Sequence, residues 1–228
     1  MRQDDRVAGV VAASTGARDR RVFRGLYPVT PDQPDTQRLA ADAERVLGAG
    51  ARLLQYRNKR ADRALRREQI LALLALCDRH DALLVVNDDW ELAIELGADA
   101  FHLGRDDADV RVARREAGPA PLIGVSCYAS VDRARAAAPY ADYLAFGSLF
   151  ASPTKPAAPS AALSVLGQAR ELGLPIVGIG GITPANARAA FDAGADAVAV
   201  ISAVFDAPSP VDAVHAFLQI AREAGRAS

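Results

Sequence analysis

The sequence predicts a single (β/α)8 TIM barrel behind a flexible N-terminal leader, and three observations support this fold class. Eight short aliphatic or β-branched runs alternate with longer stretches of helical period from residue 23 onward. The runs are apolar enough for burial on both faces, as parallel strands between crossover helices require. The length of 228 residues also suits one such barrel. We therefore expect a leader over residues 1–22 and a TIM-barrel catalytic domain over residues 23–228.

The eight runs are the predicted strands. They cover residues 25–30, 52–58, 83–88, 100–104, 122–127, 143–147, 175–181 and 197–203. The intervening stretches carry apolar residues three and four positions apart, as in residues 39–47, which is helical spacing. Helix starts are indicated by Asp35, by Asp62 and by Thr183 followed by Pro184, because a short polar side chain caps a helix and proline suits its first turn.

A doubly wound open sheet is the alternative fold. Its dinucleotide-binding form carries a Gly-x-Gly-x-x-Gly motif directly after the first strand. No such motif follows residues 25–30. The closed barrel is therefore favoured.

The composition is typical of a soluble globular enzyme. Half of the residues are hydrophobic and the formal net charge is −1, so neither a nucleic-acid-binding surface nor a membrane partner is indicated. No apolar run approaches the roughly 20 residues of a membrane helix. Cys77 and Cys127 each lie in an apolar segment, which favours buried reduced thiols over a disulfide. We expect a cytoplasmic protein, and a homo-oligomer is compatible with the sequence.

The second predicted strand ends in cations, at the edge where parallel barrels carry their chemistry. Gln55, Arg57 and Lys59 alternate with Tyr56 and Asn58, so the first three share one face of the strand. One interpretation is that the strand simply ends in solvent. The other is that its cations point into the barrel mouth, where they would require an anionic ligand.

Acidic pairs follow the third and fourth predicted strands. Asp88 and Asp89 follow one apolar run, and Asp106 and Asp107 follow the next. Each aspartate alone is explained by helix capping, and Glu91 would complete a capping box with Asp88. Because neighbouring strands lie only about 5 Å apart, their terminal carboxylates can also converge on a hard cation. Mg²⁺ suits such a place, since it is held by one or two carboxylates together with substrate phosphates and water.

The loops after the last three strands are compatible with a second anion site. Residues 150–160 form a loop rich in Pro, Ser and Ala, with a cation at Lys155. This loop either binds a ligand or is only a connector between the sixth strand and the next helix. Gly180 and Gly181 end the seventh strand, and Ser202 ends the eighth. Backbone amides at this place form the habitual monophosphate site of such barrels, although glycine pairs also occur for packing alone.

In combination, these motifs resemble the thiamine phosphate synthase family from about Gly25 to Phe205. The motifs that carry the resemblance are "GLYPVT", "LQYRNK", "VNDDWELAIELGADAFHLGRDD", "GVS", "FGSLFASPTK", "GIGGIT" and "VISAV". The resemblance implies a magnesium-dependent transferase. Its two small-molecule substrates would be 4-amino-2-methyl-5-pyrimidinylmethyl diphosphate and 4-methyl-5-(2-hydroxyethyl)thiazole phosphate, and diphosphate would be released.

The resemblance also implies roles for individual residues. The implied catalytic residues, which would stabilise the departing diphosphate, are Arg57, Lys59, Ser126 and Lys155. Asn87 is implied as a further diphosphate contact, and Asp88 and Asp107 as the Mg²⁺ ligands. The residues implied to lie near the pyrimidine are Tyr27, Gln55 and His102. Those implied to serve the thiazole phosphate are Ser152, Thr154, Gly181, Ile201 and Ser202.

Some positions depart from the family pattern. Arg105 and Asp106 stand where the family usually has Gln and Glu, and Ser152 replaces the first of two usual threonines. Tyr128 stands where a His is common after "GVS". The related thiazole tautomerase relies on that His for proton transfer, so Tyr128 disfavours this alternative activity.

The sequence contains no convincing Ser/His/Asp or Cys/His set. None is needed if diphosphate departs first and the thiazole nitrogen captures the pyrimidinylmethyl cation. A Schiff-base enzyme using Lys59 or Lys155 is an alternative, and so is a non-catalytic regulatory barrel. The regulatory barrel is expected to lack a metal aspartate or a strand cation, and this chain keeps both kinds of residue.

Overall fold

The computed structural model describes residues 19–105, 107–151 and 161–227, and eight parallel strands form one sheet in this part of the chain. The strands are β1 (Gly25–Pro28), β2 (Leu53–Tyr56), β3 (Leu83–Asn87), β4 (Ala100–Leu103), β5 (Leu122–Tyr128), β6 (Tyr143–Phe146), β7 (Ile176–Ile179) and β8 (Ala197–Val200). From β2 to β8 each strand pairs with the next in sequence, and β1 pairs with β8. An isolated bridge from Val29 to Gln55 brings β1 beside β2. The predicted barrel is confirmed.

Helices follow the strands and cover the outside of the barrel. The α-helices of the described residues are α1 (Thr36–Gly48), α2 (Arg63–Arg79), α3 (Trp90–Glu95), α4 (Val110–Ala117), α5 (Val131–Ala137), α6 (Ser164–Ala169), α7 (Pro184–Asp192), α8 (Ser202–Phe205) and α9 (Pro210–Glu223). The predicted starts are confirmed: the Asp35 and Asp62 carboxylates accept backbone N–H groups of α1 and α2. At α7, the Asn186 side chain accepts the Thr183 N–H at 2.8 Å and Pro184 occupies the first turn.

Apolar side chains form one layer outside the strands and another inside the barrel. The outer layer includes Ile70 and Phe217, and the inner layer includes Val85 and Tyr143. A Cβ atom on Gly124 would lie 2.0 Å from the Tyr143 ring, so glycine is required for this ring to fit. Burial of such side chains supplies most of the stabilisation of the fold.

The two cysteines are buried free thiols, as predicted. Burial raises the pKa of both Cys77 and Cys127 to about 12, so both are protonated near neutral pH. Across the described part of the chain, helix length and hydropathy together leave no segment that would span a bilayer.

Two aspartates occupy equivalent positions at the amino ends of the strands. Asp142 directly precedes β6, and its carboxylate accepts the Ile123 N–H at 2.9 Å. Asp196 directly precedes β8 and accepts the Ile176 N–H at 2.9 Å. Each carboxylate thus accepts a hydrogen bond from a backbone N–H group of the neighbouring strand. Such a partner is needed because a buried N–H group without an acceptor destabilises the fold.

Asp142 also connects the barrel to residues 19–22, which belong to the predicted leader. Arg20 lies in the 3₁₀ turn Arg20–Val22, and its Nε atom donates to Asp142 Oδ1 at 2.9 Å. Arg114 of α4 donates to the other carboxylate oxygen. The remainder of the predicted leader, residues 1–18, lies outside the described residues.

Candidate active site

A chain of five hydrogen-bonded side chains crosses the barrel interior. Gln55 Nε2 donates to Tyr27 Oη at 2.9 Å, and the hydroxyl oxygens of Tyr27 and Tyr143 lie 2.9 Å apart. His102 Nδ1 lies 2.8 Å from Tyr143 Oη, and His102 Nε2 lies 2.8 Å from Ser126 Oγ. The structure therefore brings together four of the predicted site residues through a fifth.

The titratable members of this chain are neutral. Burial lowers the pKa of His102 to about 4, against a smaller opposing effect of the Asp88 charge. Burial raises the pKa of both Tyr27 and Tyr143. Near neutral pH the chain can therefore orient a ligand by hydrogen bonds, and it is poorly suited to acid–base catalysis.

Tyr143 was not among the predicted site residues. In sequence it is an ordinary aromatic residue at the start of a strand. Its ring fits because Gly124 of β5 lies directly across from it in the strand register. The useful signal is therefore a Gly–Tyr pair on neighbouring strands, which becomes visible only when the register is known.

The polar residues of β2 and the following loop point in two directions. Tyr56 Oη and Asn58 Nδ2 donate to Gln69 Oε1 on α2, at 2.9 and 3.0 Å, while Gln55 points into the barrel. The predicted alternation is confirmed at these positions. Gln69 is fully buried, so this contact fixes the outer side of the segment that carries Arg57 and Lys59.

The two cations of this segment each pair with a protein carboxylate. Arg57 Nη1 lies 3.3 Å from Asp32 Oδ1, and Lys59 Nζ lies 2.9 Å from Asp88 Oδ2. Asp32 also accepts the backbone N–H of Lys59 at 2.8 Å. All four side chains are partly exposed, so these ion pairs can exchange for pairs with a ligand anion at modest cost. Sequence reasoning missed Asp32, because it follows β1 and meets the end of β2 only when the barrel closes.

Asp88 and Asp107 converge beside Gly104. A Cβ atom placed on Gly104 would lie 2.9 Å from Asp107 Oδ2 and 3.8 Å from Asp88 Oδ1. The Gly104 N–H donates to Asp107 Oδ2 at 2.6 Å. Burial and the neighbouring Asp88 carboxylate raise the pKa of Asp107. The two carboxylates therefore form a cradle of concentrated negative charge.

Neither of these two aspartates caps a helix. Asp89 accepts the Leu92 N–H and caps α3, and Asp109 accepts the Arg111 N–H and caps α4. The capping interpretation is therefore wrong for Asp88 and Asp107. Asp88 has a φ of 65°, in the left-handed region that aspartate tolerates better than most residues.

The donor set fits a magnesium ion. Within residues 19–105, 107–151 and 161–227, no group of three or more His, Cys, Asp or Glu side chains could hold a metal. Mg²⁺ does not require one, since one or two carboxylates suffice when substrate phosphate oxygens and water complete the octahedron. Asp88 and Asp107 supply those two carboxylates.

A cavity of about 240 Å³ lies between β2, β3 and α2, beside Asp88. It is lined by Tyr56, Asn58, Lys59, Arg66, Ile70, Val86, Asn87, Asp88 and Asp89. Asn87 ends β3 and lies across from His102 in the strand register. The cavity thus brings Asn87 together with a predicted cation and a predicted metal ligand.

Arg133 of α5 connects the loop that follows β4 to β5. Its Nε atom donates to the Ser126 carbonyl at 2.8 Å, and its Nη2 atom donates to the Gly104 carbonyl at 3.1 Å. Sequence reasoning missed this residue, because an arginine in a helix is usually a solvated surface group.

The predicted monophosphate site lies at the ends of β7 and β8, which pair side by side. Gly180 and Gly181 have φ angles of 100° and 64°, and Cβ atoms there would lie within 2.6 Å of atoms in residues 148–151. Close packing against residues 148–151 therefore requires glycine at both positions. Ile201 precedes α8, and Ser202 is exposed at its first position. The other predicted members of this loop region, Ser152, Thr154 and Lys155, lie outside the described residues, as does Asp106.

Tyr128 stacks against Arg105. The guanidinium carbon of Arg105 lies 4.1 Å from the centre of the Tyr128 ring, and Tyr128 Oη accepts the Arg105 N–H at 3.1 Å. The arginine that departs from the family pattern thus contacts the tyrosine that also departs from it.

A closed (β/α)8 barrel that gathers cations and converging carboxylates at the carboxyl ends of its strands belongs to the class of α/β-barrel enzymes acting on anionic substrates. The family model described as thiamine monophosphate synthase matches residues 26–204. The chain belongs to this family, as its motifs predicted.

Individual relatives agree with this assignment. A thiamine-phosphate synthase of Thiobacillus denitrificans is 54% identical over 186 residues, which cover 81% of this chain and 88% of the relative. One of Chromobacterium violaceum is 51% identical over 193 residues, covering 84% and 93%. The solved structure of thiamine phosphate pyrophosphorylase from Pyrococcus furiosus matches with a TM-score of 0.80 at 32% identity, covering 90% of this chain and 98% of that chain.

Proposed function

We propose that the protein condenses 4-amino-2-methyl-5-pyrimidinylmethyl diphosphate with 4-methyl-5-(2-hydroxyethyl)thiazole phosphate, forming thiamine phosphate and diphosphate. Family membership and the names of the relatives support this choice of substrates. The observation that carries the proposal is the convergence of Asp88 and Asp107 beside Lys59. A diphosphate leaving group needs cations around its oxygens, and this strand-end cluster is built to supply them.

At the diphosphate end, Arg57 and Lys59 exchange their carboxylate partners for diphosphate oxygens. Asn87 and Ser126 donate hydrogen bonds to the same anion, and Lys155 adds a further positive charge. Mg²⁺ held by Asp88 and Asp107 would neutralise negative charge on the diphosphate. Together these contacts stabilise the leaving group as its charge increases.

The reaction then needs no protein nucleophile. The bond between the pyrimidinylmethyl carbon and the diphosphate oxygen breaks, and its electron pair leaves with the diphosphate. The lone pair of the thiazole nitrogen forms the new C–N bond with the resulting cation. Tyr27, Gln55 and His102 orient the pyrimidine, and the pKa of His102 near 4 keeps its ring from adding positive charge beside the developing cation.

The thiazole phosphate is proposed to bind at the ends of β7 and β8. Gly181, Ile201 and Ser202 would contact it, together with Ser152 and Thr154. Each anion then has its own end of the site, which holds the thiazole nitrogen opposite the reacting carbon. We further propose that the enzyme works in the cytoplasm with Mg²⁺ as its cofactor.

Product formation tests this proposal. Purified protein is mixed with both substrates, with and without Mg²⁺, and thiamine phosphate is measured by chromatography and mass spectrometry. We expect product only when both substrates and Mg²⁺ are present, and far less product from the Asp107→Asn variant than from the Asp109→Asn control. Absence of product from the wild-type protein under the complete conditions would contradict the proposal.

The thiazole tautomerase alternative has its own assay. Tyr128 lacks an imidazole that cycles protons near neutral pH, so the protein is expected not to isomerise a thiazole carboxylate phosphate. Rapid isomerisation by the purified chain would favour tautomerase activity over the proposed condensation.

A further inference from the structure

Lys59 pairs with Asp88, which is one of the two proposed ligands of the divalent cation. Lys59 Nζ lies 2.9 Å from Asp88 Oδ2, and these side chains are 55% and 28% exposed. The positive charge of Lys59 also lowers the pKa of Asp107, which opposes the effects of burial and of Asp88. One ammonium group therefore acts electrostatically on both carboxylates of the cradle.

The backbone beneath Lys59 is fixed, so its side chain is the part that can move. Asp32 accepts the Lys59 N–H at 2.8 Å, and Asn58 in the same loop is held by Gln69. Asp88 is fixed in a similar way, because its N–H donates to the His102 carbonyl at 2.9 Å. An ammonium group and a divalent cation that both contact Asp88 would lie close together and repel each other, so the two compete for this carboxylate.

We propose that Lys59 competes with the divalent cation for Asp88, and that the diphosphate group of the substrate releases Asp88 by giving the ammonium group another partner. This inference rests on the proposed role of Asp88 and Asp107 as metal ligands. It makes Lys59 the residue that couples anion binding to metal binding. Such coupling is reciprocal, so each ligand strengthens the binding of the other.

The first test measures Mg²⁺ affinity by isothermal titration calorimetry, with chelator-treated protein and no substrate. Lys59→Gln removes the competing charge, so it should bind Mg²⁺ about fivefold more tightly than the wild type, as expected for one partly exposed ion pair. Lys59→Arg, which keeps the charge, should bind as weakly as the wild type. Arg60→Gln is the matched control, because it removes the same charge from a neighbouring side chain that is 89% exposed and pairs with Asp32.

The outcomes separate this inference from the proposed function. Equal or weaker Mg²⁺ binding by Lys59→Gln overturns the inference, as does an equal gain in Arg60→Gln or binding too weak to detect in every variant. Asp88→Asn tests the metal site itself. Wild-type affinity in Asp88→Asn would overturn both ideas, whereas weakened affinity there with no gain in Lys59→Gln would overturn the inference alone.

The second test uses no metal. In the presence of chelator, Asp88→Asn frees Lys59, so inorganic diphosphate should bind this variant several-fold more tightly than the wild type. Asp89→Asn is the control, because it removes the adjacent charge and keeps a residue that caps α3 equally well. Unchanged diphosphate affinity in Asp88→Asn, or an equal gain in Asp89→Asn, would overturn the inference.

Discussion

Carboxylates at the two ends of the barrel have different surroundings. At the amino ends of the strands, Asp142 is fully buried and accepts from Arg20, from Arg114 and from a backbone N–H group. At the carboxyl ends, Asp88 and Asp107 face one another, and Lys59 acts on both. Position in the fold, rather than residue type, therefore distinguishes an aspartate that stabilises the barrel from one suited to bind a cation.

The difference has a physical cause. A buried carboxylate is tolerated when charged and backbone donors compensate for the water it has lost, as they do around Asp142. Two neighbouring carboxylates repel each other, and burial together with the adjacent Asp88 carboxylate raises the pKa of Asp107. A bound cation relieves the repulsion, so the second arrangement gains free energy from a ligand.

The largest expected effect is on stability, at the amino ends. Asp142→Ala leaves buried donors without their partner, so the free energy of unfolding should fall by about 3–5 kcal/mol. Urea unfolding monitored by circular dichroism measures this loss. Asp132→Ala, which removes a 92% exposed member of an ion pair, is the control and should change stability by less than about 0.5 kcal/mol. If both variants lost less than about 0.5 kcal/mol of unfolding free energy, Asp142 would not be a stabilising carboxylate, and its proposed difference from Asp88 and Asp107 would be wrong.

The next effect is on turnover, at the carboxyl ends. Asp88→Asn and Asp107→Asn should each lower kcat/KM by about 100-fold, because the neutral amide loses the charge that holds a hard cation. Their stability should stay near the wild-type value, since neither residue caps a helix. Asp109→Asn should change turnover little. The test is to measure activity as a function of Mg²⁺ concentration. If both variants depended on Mg²⁺ in the same way as the wild type, the proposed metal site would be refuted.

A smaller effect concerns His102, which lies in the barrel interior. Its pKa falls from 6.5 to about 4 on folding, so between these pH values the unfolded chain binds more protons than the folded protein. The free energy of unfolding should therefore decrease as the pH falls, and His102 should contribute about 2 kcal/mol of this decrease between pH 7 and pH 5. His102→Gln lacks this contribution, so the stability difference between wild type and variant should shrink by that amount. If the free energy of unfolding changed with pH in the same way in the wild type and in His102→Gln, the lowered pKa of His102 would be contradicted.

The smallest effect concerns Asp32, the carboxylate that accepts from the Arg57 side chain and the Lys59 N–H. Asp32→Asn should lower the KM for the pyrimidine diphosphate about fivefold, because Arg57 no longer has to give up a partly exposed ion pair to bind the diphosphate. If Asp32 acts through Arg57, the same substitution should have little further effect in an Arg57→Ala background. Fully additive effects in this double-mutant cycle would show that Asp32 acts independently of Arg57.

Local sequence patterns predicted much of the fold and pointed to several residues that the structure brings together at the strand ends. Each predicted run overlaps one strand, because a strand buried on both faces needs an unbroken apolar segment. The alternation of Gln55 and Tyr56 was predicted correctly, because side chains of a strand point in opposite directions at successive positions. Asp32 was missed, because its contacts with Arg57 and Lys59 join segments that lie 25 and 27 positions apart.

The order of strands and helices, the burial of both cysteines and, through the combined motifs, the family can all be read from the amino-acid sequence. Long-range contacts in the folded chain establish that Asp89 and Asp109 cap helices, whereas Asp88 and Asp107 face each other at the strand ends. The same is true of Tyr143, which bridges Tyr27 and His102 inside the barrel. The physical reason is that hydrophobic periodicity depends on neighbours within a few positions, whereas these contacts depend on backbone torsion at single residues and on strand register around the closed barrel.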